Sequence, residues 1–332
     1  MKYSTILVDG MNTLFRAAHS YNLSVMDGEE EVPTGAIYGF LQMVLSVWKK
    51  HAAPDCKIIV CWDAGYDHRI ALYPEYKAHR RAPKDPNVEV PAQFSTLRDQ
   101  GKALKKILTC AGWRQARAPG YEADDVMAAL SRTSPGMVAL YTGDEDLHQC
   151  VSESVHVLSR SKGVEKIWTV AEVTEKWGLP PVRVAEAKAL AGDGGDGIPG
   201  CPGCGLGWAQ KILQGRDVSE VLAQVRAGST LSGEYQGKSW KANALSKKLA
   251  ENERIVLTSW ELAKVVYDCP VDITTSEPNQ ELLRKFLTRL SFNSLLEAEA
   301  FLSLNEISKG VGLPARASHE PLDLDTILGL DL

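Results

Sequence analysis

The stretch STILVDGMN, residues 4–12, decides the fold class of this 332-residue chain. Residues 5–9 are a short apolar run that ends in the carboxylate of Asp9, and a helical pattern follows over residues 12–18. Two later runs, residues 57–63 and 137–144, repeat the pattern and end in Asp63 and Asp144. Strands that alternate with helices predict an α/β fold, with a parallel sheet that is covered by helices on both faces.

The character of the sequence changes after about residue 180, from alternating strands and helices to helices joined by glycine-rich turns. The segment 226–237 is polar and turn-like. We therefore predict an α/β domain over residues 1–180, a helical module over 181–305 and a flexible acidic tail over 306–332. The predicted helices cover residues 35–50, 96–110, 122–130, 182–191, 206–214, 242–250 and 280–290.

Composition narrows the class of protein. Hydrophobic residues make up 44% and charged residues 24% of the chain, which is ordinary for a globular protein. Asp9 interrupts the first apolar run, so no secretory signal is expected, and no apolar run is long enough to span a membrane. Seven cysteines, an odd number, favour free thiols in a reducing compartment. We expect a cytoplasmic protein.

Acidic residues cluster where the predicted strands end. A lone aspartate is usually a solvated surface acid or a helix cap, but several buried carboxylates at one sheet edge would repel each other without a cation. Hard oxygen ligands suit Mg²⁺ or Mn²⁺, and two such ions can clamp a phosphodiester during hydrolysis. The nine candidates are Asp9, Asp63, Glu122, Asp124, Asp125, Asp144, Asp146, Asp193 and Asp196.

The charge distribution points to a polyanionic partner. The formal net charge is −5, but without the nine candidate site acids 33 acids remain against 37 bases. The segment 68–118 holds eleven bases against four acids. A basic segment beside an acidic cluster is typical of a protein that holds a nucleic acid over metal ions, although a solvated helix face is the simpler alternative.

The glycine-rich stretch ALAGDGGDGIPGCPGCGLGWAQKIL, residues 189–213, suits three chemistries: a zinc knuckle, a dinucleotide-binding turn or a backbone loop that grips phosphate. Cys201 and Cys204 have no second pair, which argues against zinc. A Rossmann turn needs a preceding strand and a later acid, and neither is present. A phosphate-gripping turn that leads into a helix remains.

These motifs together resemble the structure-specific 5′ nucleases, which include flap endonucleases, the 5′-nuclease domain of bacterial DNA polymerase I and phage 5′–3′ exonucleases. The resemblance runs over about residues 3–300. It rests on VDGMNTLFRA, the strand end at Asp63, YPEYKAHR, YEADD, TGDEDL, LAGDGGDGIPGCPGCG and LTRLSFNSLL. It implies a PIN-like nuclease fold with a helical arch, a helix–three-turn–helix module and phosphodiester hydrolysis with two divalent ions.

The resemblance also implies residue roles. Lys77 and Arg80 would reach the scissile phosphate, and Tyr76 would stack on a base near the 5′ end. The turn from Gly200 to Gly207 would bind the uncleaved duplex, with K⁺. The first ion would be held by Asp9, Asp63, Glu122, Asp124 and Asp125, and the second by Asp144, Asp146, Asp193 and Asp196. Further DNA contacts are expected from Arg81, Lys84, Gly200, Gly203, Gly205, Gly207 and Lys211, within a basic arch over residues 68–118.

The chain departs from the family pattern in two places. Gly195 and Gly197 replace the usual Ser and Asn around the last site aspartate. Gly207 and Trp208 replace the usual Lys-Thr, which predicts a weaker phosphate grip with Lys211 as a substitute. No polymerase domain follows in the sequence, so a stand-alone nuclease of the kind common in bacteriophages is expected.

The expected substrate is double-stranded DNA with 5′ ends or flaps, or an RNA–DNA hybrid, and the expected state is a monomer without membrane contact. For residues 319–332, where acids alternate with leucines, a disordered solubilising tail is the simpler alternative. If the segment has a binding role, a replication partner is expected rather than the basic arch. A haloacid-dehalogenase phosphatase is excluded because Met11 stands where its second aspartate belongs. A PIN-type ribonuclease and a catalytically weak DNA-binding scaffold remain as alternatives.

Overall fold

The structure is a computed structural model that describes residues 1–81, 91–161, 163–297, 304, 307 and 316–317. Among these residues, eight strands form one sheet in the order β12-β11-β5-β4-β1-β6-β7-β8. Two small hairpins, β2–β3 and β9–β10, lie apart from it. The strands are β1 Tyr3–Asp9, β2 Ser24–Asp27, β3 Glu30–Pro33, β4 Ala52–Cys61, β5 Arg114–Arg117, β6 Val138–Tyr141, β7 Val155–Ser161, β8 Val164–Trp168, β9 Ser232–Tyr235, β10 Lys238–Lys241, β11 Asp272–Thr275 and β12 Arg316–Ala317.

The helices of the described residues alternate with these strands in the first half and follow one another in the second. Two short 3₁₀ helices, Asp146–Cys150 and Pro181–Arg183, supplement them. The α-helices are α1 Gly10–Ser20, α2 Gly35–His51, α3 Asp67–Leu72, α4 Ala78–Arg81, α5 Ala92–Ser95, α6 Leu97–Cys110, α7 Ala123–Thr133, α8 Val170–Trp177, α9 Val184–Ala191, α10 Leu206–Ile212, α11 Val218–Arg226, α12 Asn243–Glu251, α13 Glu253–Ala263, α14 Gln280–Arg289 and α15 Asn293–Leu296.

The centre of the sheet is buried on both faces. β1 pairs in parallel with β4 and β6, and its side chains alternate between two hydrophobic clusters. Leu7 packs on the face of α7, whereas Ile6 and Val8 pack on the face of α1, α2 and α6. This alternation explains why the strand reads as a continuous apolar run. The predicted α/β sheet with helices on both faces is therefore observed.

Two parts of the sequence-based picture of the sheet need correction. The sheet is parallel at its centre, but β8 pairs antiparallel with β7, and β11 pairs antiparallel with β5. The segment 226–237 is more than a turn, because β9 pairs with β10 in an antiparallel hairpin. Short polar strands of this kind bury few side chains and give no apolar run that a sequence pattern could reveal.

The predicted boundary of the basic arch, residues 68–118, lies too far towards the carboxyl terminus, because this range includes α6 and β5. Helix α6 packs against α1 and α2 in the core through Leu104, Ile107 and Leu108, and β5 is a strand of the main sheet. The bases of α6 lie on the outer face of this amphipathic helix, which is why the charge count alone suggested an arch. Lys84 and the tail at residues 319–332 lie outside the described residues, as does the side chain of Arg81.

One hydrophobic cluster contains residues from both sides of position 180. Met127 of α7 belongs to the same cluster as Leu190 of α9, Ile212 of α10 and Val221 of α11. The helical part is therefore packed directly onto one face of the sheet. None of the described helices is both long enough and apolar enough to cross a membrane.

Candidate metal centre

Three neighbouring strands, β4, β1 and β6, end at the rim of one cavity of about 600 Å³. Its acidic lining residues are Asp9, Asp63, Glu122, Asp124 and Asp144. Asp9 is the last residue of β1, Asp63 lies two residues after the end of β4, and Asp144 lies three residues after the end of β6. The carboxyl ends of parallel strands meet at one edge, so the topology gathers side chains that are far apart in sequence.

Asp9 is fixed through both of its carboxylate oxygens. The backbone N–H of Asn12 donates to Oδ1 at 3.0 Å, and the hydroxyl of Thr142 donates to Oδ2 at 2.8 Å. Only 5% of Asp9 is exposed. Burial, followed by the negative charge of Asp63, raises the pKa of Asp9 to about 7. These two hydrogen bonds hold the carboxylate of Asp9 in position.

The three acids at the start of α7, Glu122, Asp124 and Asp125, do not all face the cavity. Glu122 and Asp125 form a capping box, in which the backbone N–H of Glu122 donates to Asp125 Oδ2 at 3.3 Å. The backbone N–H of Ala123 donates to Asp63 Oδ1 at 2.9 Å. Asp124 faces the cavity, and burial, followed by the charges of other site acids, raises its pKa well above the ordinary value. Helix α7 therefore presents Glu122 and Asp124 to the cavity.

Asp125 does not face the cavity, which corrects its predicted role as an ion ligand. It is fully buried, and its oxygens accept hydrogen bonds from Arg69 Nη1 at 2.7 Å and Nη2 at 2.8 Å. The backbone N–H of Val266 also donates to Oδ1 at 2.9 Å. A carboxylate whose oxygens are occupied in this way has no lone pair directed at an ion. Asp125 instead anchors Arg69.

Lys77 is buried against the acids of the cavity. Its Nζ donates to Glu122 Oε1 at 2.5 Å and lies 3.3 Å from Asp196 Oδ2. Its backbone has φ of 50°, a left-handed conformation that costs a residue with a Cβ about 1 kcal/mol or more. The hydrogen bond from its backbone N–H to the carbonyl of Asp196, 2.9 Å, holds this conformation. Arg80, at the cavity mouth, donates to Asp196 Oδ1 at 2.9 Å.

Tyr76 lies in the interior, which corrects its predicted role as a base-stacking residue. Only 2% of the residue is exposed, and its hydroxyl donates to Glu122 Oε2 at 2.8 Å. A ring that is covered by protein on both faces has no room for a nucleobase. Phe15 is the exposed aromatic residue beside the acids: it lines the same cavity and is 48% exposed.

A second group of acids surrounds Lys188 of α9. Its Nζ donates to Asp193 Oδ2 at 2.7 Å and forms a short hydrogen bond to Asp146. Burial raises the pKa of Asp193, but the hydrogen bond and charge of Lys188 outweigh burial and hold that pKa below its ordinary value. Asp144 lines the cavity and also interacts with this group: burial raises the pKa of Asp144, although the charge of Lys188 opposes the shift.

The donor set fits hard divalent cations. Five carboxylates line one cavity, and burial raises the pKa of Asp9, Asp124 and Asp144 there. No three acidic, histidine or cysteine side chains of the described residues converge closely enough to bind one ion as they stand. Lys77 and Lys188 instead neutralise four of the acids. An entering cation must therefore compete with these two ammonium groups.

The glycine-rich stretch contributes two structures. A loop over residues 192–198 is closed by hydrogen bonds between Asp193 and Ile198 and carries Asp193 and Asp196. The following turn starts at Gly200, whose φ is 63° and whose position leaves no space for a Cβ, since Gly192 N would lie 2.2 Å away. Cys201 and Cys204 are buried thiols in the hydrophobic cluster of α7 and α9.

The backbone at position 197 favours glycine. Its φ is 72°, and a Cβ there would lie 3.1 Å from the carbonyl oxygen of Glu75. Gly195 contributes through its backbone, because its N–H donates to Asp193 Oδ1 at 2.9 Å. The loop at residues 192–198 therefore packs against the Glu75–Lys77 backbone without the side chains that the family usually carries.

Sequence reasoning missed three residues of this site. Arg69 was counted only as one base of the arch, although its burial follows from its position on the short helix α3 next to the core. The sequence did contain a signal for Lys188: it lies about one turn before the end of α9, five residues before Asp193, so that its side chain can reach that acid. Phe15 lies on α1, the helix that follows Asp9, about one and a half turns from its start.

The fold and the acidic cavity define the class of α/β nuclease domains that are joined to a helical module. Two family models give the family. The model of the 5′-3′ exonuclease N-terminal, resolvase-like domain matches residues 4–178, and the model of the 5′-3′ exonuclease C-terminal SAM fold matches residues 179–284. The chain belongs to the 5′-3′ exonuclease family, as its motifs predicted.

Individual relatives agree with this assignment. A 5′-3′ exonuclease of Aquifex aeolicus is 31% identical over 306 residues, which cover 91% of this chain and 94% of that protein. A thermostable DNA polymerase I of Thermus aquaticus is 32% identical over 303 residues, which cover 89% of this chain. The chain spans about a third of the length of the polymerase relatives that it matches, 33% for this one.

Solved structures show the same fold. T5 5′-exonuclease with bound zinc ions has a TM-score of 0.60 and 19% identity, and the match covers 92% of this chain and 99% of that one. Flap endonuclease-1 from Methanococcus jannaschii has a TM-score of 0.55 and 16% identity, with coverage of 92% and 93%. The predicted nuclease fold is therefore confirmed.

Proposed function

We propose that this chain is a metal-dependent 5′–3′ exonuclease and flap endonuclease that hydrolyses phosphodiesters of DNA. The observation that carries the proposal is the convergence of Asp9, Asp63, Glu122, Asp124 and Asp144 on one cavity with Lys77 beside it and Arg80 at its mouth. Membership of the 5′-3′ exonuclease family supports it.

The proposed ligands of one ion are Asp9, Asp63, Glu122 and Asp124, and those of a second are Asp144, Asp146, Asp193 and Asp196. Ions bound there would polarise the phosphodiester and lower the pKa of an attacking water. Mg²⁺ and Mn²⁺ are the proposed ions because every donor is a carboxylate oxygen. Related structures contain bound metal ions, zinc in the case of T5 5′-exonuclease, which supports metal dependence in general.

The other proposed roles are contacts with the nucleic acid substrate. Lys77 and Arg80 neutralise acids in this structure, and a substrate phosphate offers both groups an alternative anion. Phe15, with its exposed ring at the cavity, is proposed to stack on the base next to the scissile phosphate in place of Tyr76. The turn at Gly200–Gly207 is proposed to contact the uncleaved duplex.

The finer expectations stay predictions: K⁺ at the turn, RNA–DNA hybrids as substrates, a monomeric state, a cytoplasmic location, a replication partner for the tail and the domain boundaries at residues 180 and 305. Related structures with DNA, such as the complex of the T5 flap endonuclease, support DNA as the partner class.

The test is cleavage of three 5′-labelled substrates in Mg²⁺ and in EDTA: a 5′-flap duplex, a duplex with a recessed 5′ end, and single-stranded RNA of the same sequence. The proposal predicts Mg²⁺-dependent cleavage of the two duplexes. Cleavage of the RNA alone would favour the PIN-type ribonuclease. Binding of the duplexes without cleavage under any divalent ion would favour the scaffold.

A further inference from the structure

Phe15 of α1 lines the acidic cavity, and its side chain is 48% exposed. A phenyl ring that is open to solvent over half of its surface has rotamer freedom. It loses this freedom when it stacks on a base, and the loss opposes binding. Neighbouring side chains that fix the ring before the substrate arrives therefore favour stacking.

Two other rings contact Phe15. His19 lies one helical turn further along α1, and its ring meets Phe15 edge to face, with centroids 4.7 Å apart and an angle of 79° between the rings. Phe94 comes from α5, a different segment, and its centroid lies 5.7 Å from that of Phe15 and 4.5 Å from that of His19. Each of the three rings therefore contacts the other two, and we call them the aromatic triangle.

The backbone that carries Phe94 is tied to the core by Gln100 of α6. Only 4% of Gln100 is exposed, and its Nε2 donates to the backbone carbonyl of Gln93 at 3.3 Å. Its Oε1 accepts a hydrogen bond from the backbone N–H of Ala36, on α2, at 3.1 Å. Phe94 itself packs against the hydrophobic cluster of α1, α2 and α6. Phe94 is therefore the anchored corner of the aromatic triangle, and Phe15 is the exposed one.

We propose that Phe94 is a positioning residue, which holds the ring of Phe15 in the orientation that stacks on a base of the substrate. Contacts between aromatic rings set an angle as well as a distance, because the ring edge is positive and the ring face negative. Phe94 lies outside the sequence motifs that this chain shares with its family. The proposal rests on the proposed function in assuming that Phe15 stacks on a base.

The experiment measures stacking by photo-crosslinking, without cleavage. A DNA duplex with a single-stranded 5′ overhang carries 5-iodouracil at each overhang position in turn, and its complex with the protein is irradiated in EDTA. Light breaks the carbon–iodine bond, and the uracil carbon joins an aromatic ring that is stacked on it, with net loss of hydrogen iodide. Mass spectrometry of the peptides then gives the crosslink yield at Phe15, and fluorescence anisotropy gives the DNA affinity of the same samples.

We expect Phe94→Ala to lower the crosslink yield at Phe15 by about 2- to 12-fold, which corresponds to about 0.5–1.5 kcal/mol for ordering one side chain. DNA affinity should change little, because phosphate contacts dominate it. Phe94→Leu keeps an apolar side chain without a ring and should lose yield as well, whereas Phe94→Tyr should keep the wild-type yield. Leu97→Ala is the matched control: Leu97 is partly buried against the same hydrophobic cluster but has no ring, so its removal should leave the yield unchanged. Melting temperatures of all variants verify that they fold.

A wild-type yield in Phe94→Ala and Phe94→Leu, an equal loss in Leu97→Ala, or a wild type without any crosslink at Phe15 would overturn the proposal. Cleavage of the same duplex without iodouracil is measured separately in Mg²⁺. If the crosslink at Phe15 depends on Phe94 but the wild type does not cleave, the proposed function fails and the positioning role stands. If the wild type cleaves and the crosslink does not depend on Phe94, the positioning role fails and the function stands.

Discussion

Removal of Arg69 should destabilise this structure, because its buried guanidinium joins several elements of the fold. Its guanidinium is 4% exposed and binds Asp125 through both Nη atoms. It also donates to Glu122 at 3.0 Å and to the backbone carbonyls of Leu262 and Lys264. Arg69→Met keeps an unbranched, mostly apolar side chain in place of the arginine stem but removes the guanidinium, which leaves the fully buried Asp125 without its partner.

Breaking a buried pair by removing one partner costs about 3–5 kcal/mol, because a buried charge stays uncompensated. The entropy of unfolding is about 2.1 cal/mol/K per residue, hence about 0.7 kcal/mol/K for 332 residues. We therefore expect Arg69→Met to lower the melting temperature by about 4–7 °C. The measurement is thermal unfolding by circular dichroism in EDTA at neutral pH.

Two variants make this result specific. The double variant Arg69→Met with Asp125→Asn removes the unpaired buried carboxylate as well, and should recover most of the lost melting temperature. Lys102→Met removes an exposed lysine that pairs with Asp99 at 2.7 Å, and surface pairs contribute little, so its melting temperature should change by less than about 1 °C. A shift below 1 °C in Arg69→Met, or a double variant as unstable as the single one, would refute the reasoning.

Three further predictions concern the site. Lys77→Ala should lower the single-turnover cleavage rate by about 150-fold, the equivalent of about 3 kcal/mol of transition-state stabilisation, with little change in DNA affinity; a loss of affinity alone would make Lys77 an ordinary backbone contact. Because the pKa of Asp9 is raised to about 7, the ion-free site is partly protonated near that pH, and Mg²⁺ binding should release protons there and fewer towards pH 9. Calorimetric titrations in phosphate and in Tris check this, and equal heats in both buffers would contradict it. Cys201→Ala with Cys204→Ala should keep cleavage activity, since both thiols are buried in an apolar cluster, and stoichiometric zinc in the wild type that the variant lacks would show the opposite.

The central sheet could be predicted because burial on both faces leaves a direct trace in the sequence. Residues 5–9 and 57–63 are apolar runs for this reason, and the acid after each run marks the strand end. Strand β11, which lies between β12 and β5, and the β9–β10 hairpin gave no such trace. Their pairing depends on contacts with segments distant in sequence, such as that of Ile273 with Ala116.

The site was predictable as a set of acids but not in its internal arrangement. Sequence placed Asp124 and Asp125 together, whereas the helical turn of α7 directs the first to the cavity and the second to Arg69. The burial of Tyr76 depends on the docking of the loop at residues 192–198 against Lys77. Such contacts are set by tertiary packing, which local sequence patterns do not encode.

The central claim is that the clustered carboxylates make this chain a metal-dependent nuclease. The most direct test compares the wild type with Asp144→Asn plus Asp146→Asn on a 5′-flap duplex in Mg²⁺, with DNA binding measured on the same samples. We expect the wild type to cleave the flap, and the double variant to bind the flap without cleaving it. Cleavage by the double variant at the wild-type rate would show that these carboxylates are not needed for catalysis.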